Sequence, residues 1–173
     1  MASAMNTPRS RDKATNSLIS GATITGSGSG TTNSAGAISF GNLQIGTYTY
    51  TASKSGYLSG SGSASVTKAG DSLSVTIYLT PVGSVTVYVR DKATNALISG
   101  ASVSGAGTSG TTSSAGTFTV NNLQIGSYTF SASKSGYQNG SATASISKAG
   151  DNISVTIYLT PIGSVTVYVR DGN

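Results

Sequence analysis

Hydrophobic and polar residues alternate most regularly along the segment GSVTVYVRD, which occupies residues 83–91 and recurs letter for letter at residues 163–171. In each copy three valines alternate with threonine and tyrosine. A period of two residues is typical of a β-strand that buries one face and exposes the other. The segment therefore predicts a strand at both places, with its valines facing a hydrophobic core.

These two copies belong to a longer internal duplication. Residues 11–22 (RDKATNSLISGA) match residues 90–101 (RDKATNALISGA), and the string NLQIG at 42–46 returns at 122–126. The spacing between the matching strings changes by one residue, which places an insertion in the glycine-rich loop between them, where a shared fold tolerates it. We expect two copies of one domain of about 80 residues each, differing mainly at that loop.

Short strands separated by turn signals account for the rest of each repeat. In the second repeat, alternation and clusters of Gly, Asn, Asp and Ser predict strands at intervals of about 8–12 residues, without helical spacing. The last strand is the most apolar and is expected to end at Pro161. This succession predicts an all-β sandwich. The predicted strands are 84–90, Ala101 to Ser104, the region of Phe118 and Val120, Tyr128 to Ala132, 141–147, and Ile153 to Leu159.

Aligning the repeats leaves a mismatch at the two ends of the sequence. The first repeat begins at Arg11 without a valine-rich strand before it, whereas a spare copy of that strand follows the second repeat. We therefore predict a leader or flexible arm at 1–10, a β-sandwich repeat lacking its first strand at 11–80, a complete repeat at 81–160, and a linker plus spare first strand at 161–173.

The amino-acid composition argues against several classes of function. Only 9% of the residues are charged, the chain has no His and no Cys, and its acidic residues are five aspartates without a single Glu. Enzymes that move protons near neutral pH generally need His, Cys or a tuned carboxylate, and calcium sites need several carboxylates. We therefore expect no enzyme activity, no catalytic residue, no metal site and no cofactor. The aspartates, at predicted turns or the terminus, are Asp12, Asp71, Asp91, Asp151 and Asp171.

The basic residues do not indicate a nucleic-acid partner. The net charge is +5, but its ten Lys and Arg are dispersed and no aromatic residues are interleaved with a basic cluster. No apolar run approaches the roughly 20 residues of a membrane span. We expect neither nucleic-acid binding nor membrane insertion.

Four short motifs recur at matching places in both repeats. In the second repeat they are Gly100-Ala101, Ala115-Gly116, Leu123 with Gly126 and Tyr128, and Gly136-Tyr137; in the first they are Gly21-Ala22, Ala35-Gly36, Leu43 with Gly46 and Tyr48, and Gly56-Tyr57. Their order resembles the carboxypeptidase-regulatory-like family and, more broadly, the transthyretin-like and CnaB-type (prealbumin-like) sandwiches of bacterial or archaeal surface proteins. The resemblance implies two tandem Ig-like or transthyretin-like β-sandwich domains, and an extracellular or cell-surface location.

The same resemblance raises the question of an isopeptide crosslink. CnaB-type relatives often join a Lys to an Asn or Asp beside a buried carboxylic acid, usually Glu. Here Lys13 and Lys92 follow the first-strand position, and Asn122 and Asn152 are the available acceptors. Because the chain has no Glu, the alternative is that these lysines are solvated turn residues.

Tyrosine is the dominant aromatic residue, with nine tyrosines against three Phe and no Trp. Four of them are predicted on the polar faces of their strands, where two interpretations are open. They form either a stacking platform for sugar rings, which would make the chain a carbohydrate-binding accessory module with glycan partners, or cross-strand pairs that stabilise the sheet. These residues are Tyr78, Tyr88, Tyr158 and Tyr168.

The spare strand favours a structural function: a repeat module of an extracellular stalk, adhesin or filament. A four-residue linker spans at most about 14 Å, too short to return this strand to the open edge of its own first repeat. We expect it to complete the first repeat of the next copy by donor-strand addition, so that copies of the chain associate head to tail. The alternative is a frayed segment, or one folded onto its own domain. The assembly-strand residues are Val165, Val167, Tyr168 and Val169.

Overall fold

The computed structural model of the chain describes residues 3–163 and 165–170. Within these residues the regular secondary structure consists of β-strands alone. No helix long and apolar enough to cross a membrane occurs in this part of the chain. The first eight strands are β1 (Ala4–Asp12), β2 (Thr23–Gly26), β3 (Gly30–Thr31), β4 (Phe40–Leu43), β5 (Gly46–Ser53), β6 (Tyr57–Leu58), β7 (Gly60–Val66) and β8 (Ser72–Asp91). The other seven are β9 (Ser102–Gly105), β10 (Thr108–Thr111), β11 (Thr117–Gln124), β12 (Gly126–Ser133), β13 (Tyr137–Gln138), β14 (Gly140–Ile146) and β15 (Asn152–Pro161).

The strands group into two compact units. The first unit holds the chain as far as Ser84 together with residues 121–126 and 146–151, and the second holds the remainder from Val85 onward. β8 therefore contributes its first part to one unit and its last part to the other.

In the first unit two sheets enclose a hydrophobic core. One is antiparallel, in the order β3-β2-β5-β7, and in the other β1 lies between β4 and the first part of β8. Alternate residues of β8 point inward and meet alternate residues of β2 and β5, as the period of two requires. The buried core cluster consists of Ile19, Ala22, Ile24, Tyr50, Ala52, Val75, Ile77 and Leu79.

The second unit repeats this arrangement. Its antiparallel sheet has the order β10-β9-β12-β14, and its other strands are β13, β15, β11 and the last part of β8. The predicted inward valines of residues 83–91 are fully buried, and the predicted fold class, two tandem all-β sandwich repeats, is confirmed. Buried residues of this unit include Val85, Val87, Val89, Val103, Phe130, Ala132, Ile157 and Leu159.

Two predictions about segment boundaries were wrong. Residues 4–10, expected in a leader or flexible arm, lie in β1, so the first repeat does not lack a strand in its first position. Their inward residues are small or polar, so the sequence shows no hydrophobic alternation here. Backbone pairing with β4 and β8 fixes the position of this strand. The boundary expected between residues 80 and 81 lies inside β8, where Thr80 and Pro81 pair with β6 and Val82 is buried, and the first unit extends to Ser84.

Small residues in β7 and β14 allow the two sheets of a unit to approach closely. A Cβ atom built on Gly60 would overlap the carbonyl oxygen of Tyr78, and one built on Gly140 would lie 2.6 Å from the carbonyl oxygen of Tyr158. Backbone atoms cannot move aside as the end of a flexible side chain can. The sequence predicted a strand at 141–147, and the close approach explains why β7 and β14 consist largely of small residues.

We expect Gly60→Ala to destabilise the first unit by about 2 kcal/mol, since the added methyl group forces the two sheets apart. Gly41→Ala is the matched control, because a Cβ atom on Gly41 meets no atom within 4 Å. Thermal unfolding of the two variants measures the difference. Equal melting temperatures would contradict the close approach at Gly60.

Candidate functional site

The candidate site is the first-strand position, defined as the place taken by residues 85–91 of β8 in the second unit and by β1 in the first. In the second unit this strand fits its surroundings well. Val85, Val87 and Val89 are each 0% exposed. The Val89 N–H donates to the Gly116 carbonyl at 3.0 Å, and the Val89 carbonyl accepts from the Ile98 N–H at 2.8 Å.

β1 takes the same position in the first unit, with the same backbone bonds. The Ser10 N–H donates to the Gly36 carbonyl at 2.8 Å, and the Ser10 carbonyl accepts from the Ile19 N–H at 3.0 Å. β1 also pairs in parallel with β8, from Met5 opposite Ser72 to Asp12 opposite Leu79.

The inward residues of the two strands correspond one to one. Asn6, Pro8 and Ser10 of β1 stand where Val85, Val87 and Val89 stand in the second unit. The two units can therefore be compared directly, because equivalent positions hold different first strands.

Two buried polar side chains make β1 a poor occupant. Asn6 is 1% exposed and Ser10 is 0% exposed, and among the described residues neither Asn6 Oδ1 nor Ser10 Oγ has a hydrogen-bond partner. Asn6 Nδ2 donates a long 3.4 Å bond to the Tyr50 hydroxyl. Because a buried polar group without a partner costs about 1–3 kcal/mol, β1 stabilises its unit less than a valine strand would.

Pro8 is a second kind of misfit, because β1 has neighbours on both sides. Proline has no N–H to donate and is normally confined to edge strands. Pro8 accepts a 3.1 Å bond from the Ile38 N–H but cannot return one. The partner strand is correspondingly short: β4 covers only Phe40–Leu43, whereas its counterpart β11 covers Thr117–Gln124.

An aspartate fixes the end of the first strand in each unit. Asp91 Oδ1 accepts from the backbone N–H groups of Ala93 and Thr94 at 2.7 and 2.9 Å, and Asp91 Oδ2 accepts from the Tyr137 hydroxyl at 3.0 Å. Bonds from Thr94, Ala93 and Tyr137 hold the pKa of Asp91 below its ordinary value, although desolvation acts in the opposite direction. Nothing in the sequence predicted this bond.

The first unit contains the same arrangement. Asp12 accepts from the N–H groups of Ala14 and Thr15 and from the Tyr57 hydroxyl. Burial raises the pKa of Asp12, but the bonds from Thr15, Ala14 and Tyr57 lower it more, so it lies below its ordinary value. Desolvation by burial, together with the bond to Asp12, raises the pKa of Tyr57.

These lowered values predict acid sensitivity. A carboxyl whose pKa is lower in the folded state stabilises the fold above its unfolded pKa, about 3.9, and loses that effect as the pH falls through the folded value. We expect the stability advantage of the natural chain over Asp91→Asn to shrink between pH 5 and pH 2. Thermal unfolding across this range measures it, and a pH-independent difference would contradict the assignment.

The predicted assembly strand, residues 163–169, is not a strand here. β15 ends at Pro161, as predicted, and within 165–170 no residue belongs to a strand. Ser164 and Asp171 lie outside the described residues. The exposed fractions are 89% for Val165, 77% for Val167, 84% for Tyr168 and 92% for Val169.

The other candidate residues do not come together into one site. Tyr78 and Tyr158 are 49% and 50% exposed at equivalent places of different units, and Tyr88 is partly buried. The side chains considered for a crosslink are all exposed; they are Lys13, Lys92, Asn122 and Asn152. Among the described residues, no three His, Cys, Asp or Glu side chains are grouped as metal ligands.

The fold and the first-strand position define a class of tandem β-sandwich repeats, and the second repeat matches a known family. Residues 84–160 match the carboxypeptidase regulatory-like domain. The resemblance found in the sequence is confirmed for this repeat, of which the first is an internal duplicate.

The solved structures that match the chain share little sequence with it. The Bacillus anthracis TIE protein is 19% identical with a TM-score of 0.48, covering 93% of this chain and 34% of that one. A streptococcal ancillary pilin is 16% identical with a TM-score of 0.44, covering 94% and 64%. The shaft pilin SpaA of Lactobacillus rhamnosus GG is 14% identical with a TM-score of 0.44, covering 95% and 99%. The chain thus spans about a third of the first protein and under two thirds of the second. A comparison with curated proteins finds no match.

Proposed function

We propose that the chain is a structural module of an extracellular stalk, adhesin or filament, and that its copies associate head to tail. In this assembly residues 163–169 of one copy enter the first-strand position of the first unit of the next copy. One observation supports this most directly. The segment 163–171 is identical to residues 83–91, whose three valines are fully buried, yet its own three valines are at least 77% exposed.

Burial of these valines supplies the driving force. Each valine that moves from water into a core contributes roughly 1.5–3 kcal/mol before the losses of association are subtracted. In the first-strand position the segment would also make the backbone hydrogen bonds that β1 makes there now. Because donor and acceptor are different surfaces of the same chain, the contact is heterologous and builds an open chain of subunits.

The side-chain inventory supports a structural function rather than a catalytic one. The chain contains no His, Cys or Glu, and four of its five aspartates accept hydrogen bonds from turns or from strand-end tyrosines. Such carboxylates stabilise loops.

Light scattering of the full chain over a range of concentrations tests the assembly. We expect the mass to rise with concentration, and deletion of residues 163–173 to abolish the rise. Val167→Asp should do the same, because it places a charge on the face to be buried. Thr166→Asp is its matched control on the opposite face. A full chain that stays monomeric at high concentration would refute donor-strand assembly.

A carbohydrate-binding module is the second candidate, favoured by the half-exposed rings of Tyr78 and Tyr158. Aromatic rings with one exposed face can stack on sugars. A glycan array probed with the natural chain and with Tyr78→Ala/Tyr158→Ala tests this candidate. Binding that the double variant loses would favour it, and the absence of any glycan signal would leave the structural function.

A further inference from the structure

We propose that β1 is a displaceable placeholder, which occupies the first-strand position of the first unit until residues 163–169 of a second copy replace it. This inference rests on the proposed head-to-tail assembly and concerns its regulation. Since β1 already fills the acceptor, assembly requires exchange of one strand for another rather than addition to an open edge. The release of β1 then limits how fast copies join.

The exchange improves the fit at each inward residue. Val165 replaces Asn6 and Val169 replaces Ser10, which removes the two buried polar atoms that have no partner among the described residues. The second unit shows the result of such a replacement, because valines at these positions are completely buried there.

The exchange also restores the backbone ladder at its weakest point. Val167 replaces Pro8 and supplies an N–H on a strand that has neighbours on both sides. In the second unit, where Val87 has this N–H, the partner strand β11 is continuous over Thr117–Gln124. We expect the interrupted stretch between Ala37 and β4 to become regular strand in the exchanged state.

Tyr50 opposes the exchange and helps to retain β1. Its hydroxyl accepts a 3.4 Å hydrogen bond from Asn6 Nδ2, and Tyr50 is 0% exposed. A valine at the Asn6 position would leave that hydroxyl without this bond. The second repeat has Phe130 at the corresponding place, and both Phe130 and Val85 are fully buried. Tyr50→Phe should therefore make the first unit a better acceptor for the valine strand.

Hydrogen exchange of the β1 amides tests the displacement directly. The N–H groups of Met5, Ser10 and Asp12 are bonded to Asp71, Gly36 and Ser17 while β1 is in place. The acceptor is the chain lacking residues 163–173, and the probe is a synthetic peptide of residues 163–173. We expect a saturating peptide to accelerate exchange at Met5 and Ser10 at least tenfold. The same peptide carrying Val167→Asp should change it less than twofold.

Two variants of the acceptor sharpen the test. Tyr50→Phe should lower the peptide concentration needed for displacement at least tenfold. Asn6→Val/Pro8→Val/Ser10→Val, which gives β1 the inward residues of the donor, should raise it at least tenfold. An equal response of all three acceptors, or β1 amides that stay protected at the highest peptide concentration, would overturn the inference.

The full chain separates this inference from the proposed function. If assembly requires residues 163–173 but the β1 amides remain protected from hydrogen exchange, the head-to-tail contact stands and displacement of β1 is refuted. Displacement by the peptide without self-assembly of the full chain would support the placeholder and refute the filament.

Discussion

Ile157→Asp is expected to abolish folding of the second unit. Ile157 lies on β15 and is 0% exposed. A carboxylate there would be buried without a partner, a change that costs more than about 4 kcal/mol. A domain of about 80 residues has a total stability of this order. We expect the melting transition of the second unit to disappear from a calorimetric scan.

Ser154→Asp is the control for this prediction, because Ser154 is exposed on the same strand. It should shift the melting temperature by less than about 3 °C, since surface changes stay within roughly 0.5 kcal/mol. Val155, two residues before Ile157 on the same strand, is only partly buried, so Val155→Asp should be milder. Equal losses from Ile157→Asp and Ser154→Asp would refute the inward face.

Asn6→Val/Pro8→Val/Ser10→Val combined with Tyr50→Phe is expected to stabilise the first unit strongly. The four changes remove two buried polar atoms without partners and restore an N–H inside the sheet. Tyr50→Phe also removes the hydroxyl that would lose its bond when Asn6 becomes valine. Each orphaned group costs about 1–3 kcal/mol, so the melting temperature of this unit should rise by roughly 10 °C or more.

This measurement is made in the chain lacking residues 163–173, so that association cannot contribute. Hydrogen exchange assigns the shifted transition to the first unit, and Thr7→Val, on the opposite face of β1, is the control. An unchanged or lower melting temperature would mean that β1 is already well matched to its position.

The sequence predicted the second unit well because its strands carry their own signal. Alternating valines over 85–89 specify both a strand and its buried face. Alternation and turn residues also placed the longer strands of this repeat in order, but they did not predict the short strands β10 and β13.

β1 was missed for a physical reason. Ala4, Asn6, Pro8 and Ser10 have no hydrophobic period, and proline within a run argues against a strand. Its place is fixed from outside, by the backbone of β8 and by the turn that Asp12 closes. One signal was available: the Arg-Asp pair at 11–12 matches the pair that ends the strand at 83–91.

The side-chain bonds at the strand ends were also beyond the sequence. Tyr57 and Tyr137 lie in the recurring Gly-Tyr motif, which does not specify the partner of the hydroxyl. Each partner is an aspartate about 45 residues away in the sequence, at 3.0 Å. Only the fold brings such distant residues together.

The parallel pairing of β1 with β8 determines how the first unit responds to a pulling force. The two strands run side by side through eight residue pairs, from Met5 opposite Ser72 to Asp12 opposite Leu79. Tension applied to the start of β1 and the end of β8 acts along the strands in opposite directions. It therefore loads all their hydrogen bonds in shear at once, instead of opening them one by one like a zipper. Mechanical strength of this kind depends on strand geometry, so β1 can resist force even where its side chains fit poorly.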